Sequence, residues 1–231
     1  MRLDKYICEC TSCTRSQACS FIRKNLVTVD SATVTDPGFH VSEKNMVRLR
    51  DSLITYEKYI YLMLNKPSGY ITATSDSSQK TVMDLIEENR KNLSPVGRLD
   101  KDTEGLLLIT DNGKLNHNML SPKRHVDKTY YVECRSSLSD DDIKRLCNGL
   151  DIGDEKPTLE AHCVRTDNGI LLSIHEGRYH QVKRMISALG NEVSYLKRIS
   201  FGPLKLNASL DIGKCRRLTD EEIDLLKKYM D

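Results

Sequence analysis

Gly97-Arg98-Leu99-Asp100-Lys101-Asp102-Thr103-Glu104-Gly105-Leu106-Leu107-Leu108-Ile109-Thr110-Asp111-Asn112-Gly113 is the stretch that decides how this chain is read. A polar loop feeds an uninterrupted apolar run, and a turn follows. Such a run, bounded by turn residues, predicts a strand buried on both faces. A buried strand holds the end of its loop rigidly. Asp100 and Asp102 beside Arg98 and Lys101 on a rigid loop fit a catalytic site. They fit equally a salt-bridged turn in which Asp102 and Thr103 bond loop amides. Spacing alone leaves both readings open.

Outward from that strand, further strands are predicted at 59–64, 128–134, 160–165 and 170–174. Asp111-Asn112-Gly113 and Asp167-Asn168-Gly169 read as turns with glycine at positive φ. Helices are predicted at 82–89, 140–147, 179–189 and 221–229, the last behind a Thr219/Glu222 capping box. Met185, Ile186 and Leu189 at helical spacing read as core. The fold class is α+β: a small N-terminal α/β module at 1–58, then a larger α+β domain at 59–231 with a mixed, mostly antiparallel sheet.

The front module has its own pattern. Leu3, Tyr6 and Ile7 have helical spacing. Thr14-Arg15-Ser16-Gln17 is a capping box opening a second helix through about Lys24. Val27, Val29 and Val34, then Val47-Arg48-Leu49-Arg50, read as short strands. The pattern loosens over 52–58, which reads as a linker, with a hinge near 51–58. Arg2, Lys5, Arg15, Arg23 and Lys24 could track phosphates. From charge alone, a solvated helix face is the better account.

Composition bounds the class. The 231 residues, 39% hydrophobic and 29% charged, suit one large or two modest soluble domains at ~100–200 residues each. The net charge is +2, and residues 1–58 hold 9 Lys+Arg against 7 Asp+Glu, leaving 26 of each for the rest. No uncharged run reaches the ~18 residues of a membrane span, and Met1-Arg2-Leu3-Asp4-Lys5 opens no export signal. A cytoplasmic location follows as the expectation. The eight cysteines then read as reduced thiols. Cys8, Cys10, Cys13 and Cys19 crowd together with zinc-like spacing, but no second knuckle follows. Small buried thiols are the expectation, and metal is not.

Two resemblances sharpen this reading. Arg2-Leu3-Asp4-Lys5-Tyr6, Thr14-Arg15-Ser16-Gln17-Ala18, Phe21-Ile22, Val27-Thr28-Val29 and Val47 resemble the small RNA-binding domain first recognised in a small-subunit ribosomal protein. The loop at 97–113 resembles the active-site motif of the RsuA-type pseudouridine synthases, the branch that modifies ribosomal RNA. Asn65-Lys66-Pro67-Ser68-Gly69-Tyr70, Lys128-Thr129-Tyr130 and Glu176-Gly177-Arg178-Tyr179-His180-Gln181-Val182-Lys183-Arg184-Met185 match the family's other segments in order. Together the four are highly specific.

The resemblance implies that Asp100 is the catalytic aspartate, that the substrate is a uridine in ribosomal RNA, and that no cofactor is used. Asp100 acts either as a nucleophile or as a base. It must stay ionised in a poorly solvated pocket, which calls for a nearby cation. Lys183, where much of the superfamily has arginine, takes that part. Tyr130, at the family's aromatic position, offers a stacking face. Arg98 and Arg178 are candidates to hold flanking phosphates while the base leaves its stack. His180 and Gln181 read as hydrogen-bonding residues of the late helix, and Asp102 as a loop-ordering residue. The lean is a monomer acting on small-subunit RNA or an assembly intermediate. A large-subunit target, a non-catalytic RNA-binding assembly protein and, more weakly, a glycosidase or nucleosidase are the alternatives.

Overall fold

In the computed structural model, the described residues are the whole chain except Ser12, Glu43, Asn89 and Asp231. The chain divides into two compact units, Met1–Tyr59 and Ile60–Asp231. No helix among the described residues is long and apolar enough to cross a membrane.

The first unit opens with α1 (Leu3–Cys10) and α2 (Arg15–Arg23). The capping box starts α2: Gln17 N donates to Thr14 Oγ1 at 3.3 Å, and Thr14 N donates to Gln17 Oε1 at 2.8 Å. Four short strands follow: β1 (Val27–Val29), β2 (Ala32–Thr33), β3 (Val47–Leu49) and β4 (Ser52–Ile54), in the order β2-β1-β3-β4. Leu3, Tyr6, Ile7, Ala18, Ile22, Val27 and Val47 make the core. β4 corrects the expected linker. Ser52–Ile54 pairs antiparallel with β3, and the Tyr56 ring lies 5.8 Å from that of Tyr6. The strand left no mark in the sequence because it is an edge strand with Ser52 and Leu53 exposed. Cys8, Cys10, Cys13 and Cys19 are half-buried thiols that form no disulfide. Among the described residues no three His, Cys, Asp or Glu side chains converge as metal ligands.

The second unit is built on a nine-stranded mixed sheet. Its strands are β5 (Tyr61–Lys66), β6 (Ser94–Pro95), β7 (Glu104–Thr110), β8 (Lys128–Cys134), β9 (His162–Arg165), β10 (Ile170–Ile174), β11 (Val193–Phe201), β12 (Leu204–Lys205) and β13 (Cys215–Arg217). The main path runs β13-β5-β7-β11-β8-β10-β9, with β6 on β7 and β12 on β11. The β7–β11 pair is parallel, and the other pairs are antiparallel. Helices α3 (Gly113–Leu120), α4 (Asp140–Asn148), α5 (Gln181–Ser187) and α6 (Asp220–Leu226) complete the unit.

The apolar run at 106–109 is buried on both sides, as its pattern requires. Leu107 and Ile109 join Leu62, Leu64, Leu146, Val182 and Ile186 in one core. Leu106 and Leu108 join Tyr61, Met63, Leu115, Met119 and Leu226 in another. Alternation along β5 and β7 therefore feeds two cores, one beneath α4 and α5 and one beneath α3 and α6. At about 1.5–3 kcal/mol per buried large aliphatic side chain, this strand is a main anchor of the unit.

Four expectations need correction. The helix predicted at 82–89 is one 3-10 turn, Val82–Leu85; Ile86 is already extended, and Arg90 pairs with Asp111 at 2.8 Å. Its expected end, Asn89, lies outside the described residues. Asp111-Asn112-Gly113 is no glycine turn. Asn112 caps α3 by accepting from Leu115 N at 3.1 Å, and Gly113 is the first helical residue. Gly169 is required by close approach instead of by positive φ: a Cβ there would lie 2.3 Å from the Val132 carbonyl oxygen. Finally, α5 starts at Gln181 and not at Tyr179, because His180 is left-handed with φ 48°.

Candidate active site

The loop before β7 is held from below. Lys66, at the end of β5, is fully buried, and its Nζ donates to the carbonyls of Pro67, Lys101 and Thr103 at 3.1, 3.1 and 2.8 Å. Burial pushes its ammonium down to about 8, against the opposing pull of Asp102, Asp100 and Glu104. Gly69 N donates to Lys101 O at 2.8 Å, and Thr72 Oγ1 donates to Leu99 O at 2.8 Å. The loop closes with Thr103 N donating to Asp100 O at 3.1 Å. Gly105, with φ 102°, then brings β7 against β11, where a Cβ would lie 2.2 Å from Arg198 O. Each link fixes where Asp100 points.

Lys183 meets that loop from the first turn of α5. Its Nζ lies 3.3 Å from Asp100 Oδ2 and 2.5 Å from Asp102 Oδ1. Burial lowers the Lys183 ammonium, but its bonds to Asp102 and Asp100 outweigh this and hold it above its usual value. Burial likewise raises the Asp102 carboxyl, and the Lys183 hydrogen bond and charge bring it below its usual value. Asp100 is 26% exposed in its side chain and opens on a cavity of about 450 Å³. Ser68, Gly69, Asp100, Lys101, Asp102, His180 and Lys183 line it. A carboxylate beside an ammonium at an open cavity can attack an electrophilic carbon or take a proton.

Of the residues named from the sequence, Asp100 and Lys183 come together. Asp102 does more than order its loop, because it shares the Lys183 ammonium. Tyr130 is not on the cavity wall. It is 8% exposed, within the core beneath α4 and α5, opposite Arg198 in the β8–β11 register. Burial lowers the Arg198 guanidinium, and Tyr130 offsets part of that cost. The stacking face expected of Tyr130 is therefore missing from the wall.

Arg178 is also corrected as a phosphate clamp. Its guanidinium donates to Glu176 at 2.9 Å, to Asp154 at 3.4 Å, and to the carbonyls of Lys156 and Pro157 at 2.6 and 2.7 Å. Those bonds fasten the 154–157 loop and occupy four of the five N–H donors, so no two-pronged fork is left for a phosphate. Arg98 is exposed and has no ion pair among the described residues. Gln181 is structural as expected: its Oε1 accepts from Arg178 N at 2.9 Å, and its Nε2 donates to Glu176 at 2.7 Å.

Sequence reasoning named three further residues of the site without assigning them a part in its chemistry. His180 Nε2 is 3.6 Å from Asp100 Oδ1, so this ring belongs to the site. Lys101 also lines the cavity and donates to Gln79 Oε1 at 3.0 Å. Lys66 lay inside a quoted motif, but its burial under the loop was not legible there.

In the first unit, Arg2 and Arg15 converge on the buried Asp4. Arg2 donates twice, at 3.1 and 2.9 Å, and Arg15 once, at 3.2 Å. Arg2 and Arg15 remain 49% and 67% exposed in their side chains. Lys5, Arg23 and Lys24 are exposed.

Comparison with known proteins gives the family of the chain. Residues 60–188 match the family model described as RNA pseudouridylate synthase, and residues 1–47 match the S4 domain. The chain is 43% identical over 236 residues to YtzG of Bacillus subtilis, named an uncharacterized RNA pseudouridine synthase, covering 99% of each chain. It is 39% identical to ribosomal small subunit pseudouridine synthase A of Vibrio vulnificus, covering 99% of this chain and 100% of the relative. A crystal structure of a pseudouridylate synthase superposes with a TM-score of 0.69 at 38% identity, covering 98% and 99% of the two chains. An S4 domain thus precedes a loop-borne aspartate paired with a lysine, and the chain belongs to the RNA pseudouridylate synthase family.

Proposed function

We propose that this enzyme isomerises one uridine of small-subunit ribosomal RNA to pseudouridine, with Asp100 as the catalytic carboxylate. One observation carries the proposal: Asp100 faces an open cavity with the Lys183 ammonium 3.3 Å from its Oδ2. The RNA target is supported by relatives of matching length that are named ribosomal small subunit pseudouridine synthase A. In the reaction the bond from ribose to the base nitrogen breaks, the base turns, and a bond from ribose to a base carbon forms; that carbon then loses its proton, and the freed nitrogen ends protonated. Asp100 attacks the sugar or base, or removes a sugar proton. Lys183 holds the adjacent positive charge, with Asp102 fixing its other side. Tyr130 stays in the proposal as the family's aromatic position, now acting from the core through Arg198.

The two units divide the work. Residues 1–58 grip structured RNA through Arg2, Lys5, Arg15, Arg23 and Lys24, and residues 59–231 carry the chemistry. Arg98 holds a phosphate near the cavity. The enzyme works as a cytoplasmic monomer, without cofactor, on ribosomal RNA or an assembly intermediate.

The test is pseudouridine mapping on transcribed small-subunit and large-subunit ribosomal RNA, naked and in assembly particles, with and without the purified protein. New pseudouridine at one small-subunit position is expected. Modification confined to large-subunit RNA would overturn the target. No modification in any substrate would overturn the reaction.

A further inference from the structure

Tyr179 is the most exposed large hydrophobic side chain among the described residues, at 73%. Single exposed aromatics are ordinary and need no explanation. This one is mounted. Its ring stacks on His180, with centroids 3.8 Å apart and planes 17° from parallel. The His180 edge reaches back to Asp100, with Nε2 3.6 Å from Oδ1. The stack therefore runs outward from the carboxylate at the cavity to solvent.

The backbone beneath the rings is braced. Arg184 Nη1 donates to Tyr179 O at 3.2 Å, and its Nε donates to Ile152 O at 3.2 Å. Gln181 Oε1 ties down the Arg178 amide at 2.9 Å on the other side. His180 itself is held left-handed, with φ 48° and ψ 35°, a conformation that costs free energy in a non-glycine residue. The cost places the imidazole at Asp100. Two rings that are rigid at the backbone and open on the outer face lose little freedom when something flat lands on them.

Flat partners are what this reaction produces. A uridine drawn from its stack leaves a neighbouring base without one face covered. The other lining residues, Ser68, Gly69, Asp100, Lys101, Asp102 and Lys183, offer no ring. We propose that Tyr179 and His180 form a stacking subsite for the unpaired nucleotide flanking the target uridine. This rests on the pseudouridine reading and adds a specificity element to it. His180 borders the target base, Tyr179 stacks on the next base, and Lys101, which lines the same cavity as His180, takes the intervening phosphate. Stacking of this kind is tolerant of base identity, so the subsite reads an unpaired neighbour more than a sequence.

The experiment compares wild type, Tyr179→Ala and Tyr179→Phe in the full chain on naked small-subunit ribosomal RNA and on assembly particles that carry ribosomal proteins. Both Kd and the separate KM and kcat are measured. Tyr179→Ala is expected to raise KM and Kd about tenfold, with kcat lowered no more than about twofold. Tyr179→Phe, which keeps the ring, is expected to restore both. Removing the flanking base from the RNA is expected to erase the difference between wild type and Tyr179→Ala. Unchanged Kd and KM in Tyr179→Ala, or equal damage from Tyr179→Phe, would overturn the subsite. A loss seen only on particles carrying ribosomal proteins, and not on naked RNA, would assign Tyr179 to a protein contact and also overturn it. Failure of wild type to make pseudouridine on naked RNA and on assembly particles alike would count against the reaction, while Kd still decides the subsite.

Discussion

Two carboxylates in this protein are each held by cations, and the two settings share their exposure differently. Asp4 is buried to 1%, while its partners Arg2 and Arg15 stay largely in solvent. Asp100 and Lys183 each keep 26% of the side chain open on a cavity, and Lys183 lies between two acids. One arrangement hides the acid and presents the bases; the other leaves acid and base equally open on one cavity. The first suits a surface that meets phosphate. The second suits a carboxylate that must react. An ion pair alone says little about function, and how its partners share exposure says more.

The largest effect on this contrast comes from Lys183. Lys183→Met leaves Asp100 and Asp102 adjacent with no ammonium between them, and kcat should fall about a hundredfold in single-turnover assays. Lys183→Arg should keep activity within about tenfold, because the charge survives and only its geometry changes. Equal losses from the two would break the electrostatic account. Next is Tyr130→Phe. It strips the hydroxyl from beside the buried Arg198, whose Nη2 already has no hydrogen-bond partner. A fall in kcat of about tenfold with a lowered melting temperature is expected.

The Asp4 side of the comparison is sharpened by RNA affinity and by acid. Asp4→Asn should release Arg2 and Arg15 and weaken RNA binding about fivefold, while kcat on saturating RNA holds. The hydrogen bond from Arg2 is the largest influence on the Asp4 carboxyl and holds it at about 2, against an ordinary 3.8. A lowered carboxylate stabilises the fold fully above pH 3.8, and the contribution disappears as pH falls through about 2. Exposure of the arginines screens the pair, so roughly 1 kcal/mol is at stake. Acid denaturation of wild type and Asp4→Asn, followed by circular dichroism, should converge below that window. The smallest effect is expected from Asp102→Asn. It frees Lys183 for Asp100, and kcat should move by no more than about threefold. A loss as deep as that of Lys183→Met would make Asp102 the reacting group.

Much of this architecture was legible because local rules and burial agreed. The run at 106–109 could only be a strand covered on both sides, and the Thr14 and Thr219 capping boxes marked real helix starts. β11 was missed because Lys197 and Arg198 interrupt its apolar pattern, yet Arg198 is buried with its Nε bonded to Leu106 O at 2.8 Å. A cation that pairs with a carbonyl in the core looks like surface in a sequence. At the site, Asp100 and Lys183 were named through the family motifs, and spacing alone had left the loop undecided. His180 was misjudged because its left-handed backbone has no signature in a residue that is not glycine. Arg178 failed as a phosphate clamp for a related reason: the carbonyls and acids that occupy it lie 21–24 residues away or are hidden in its own turn.

The most direct measurement is single-turnover conversion of small-subunit ribosomal RNA by wild type and Asp100→Asn, with enzyme in excess and RNA affinity measured alongside. The structure predicts that wild type forms pseudouridine in one phase, and that Asp100→Asn forms none while binding RNA within about threefold of wild type. Product from the Asp100→Asn enzyme at a rate near that of wild type would contradict the account.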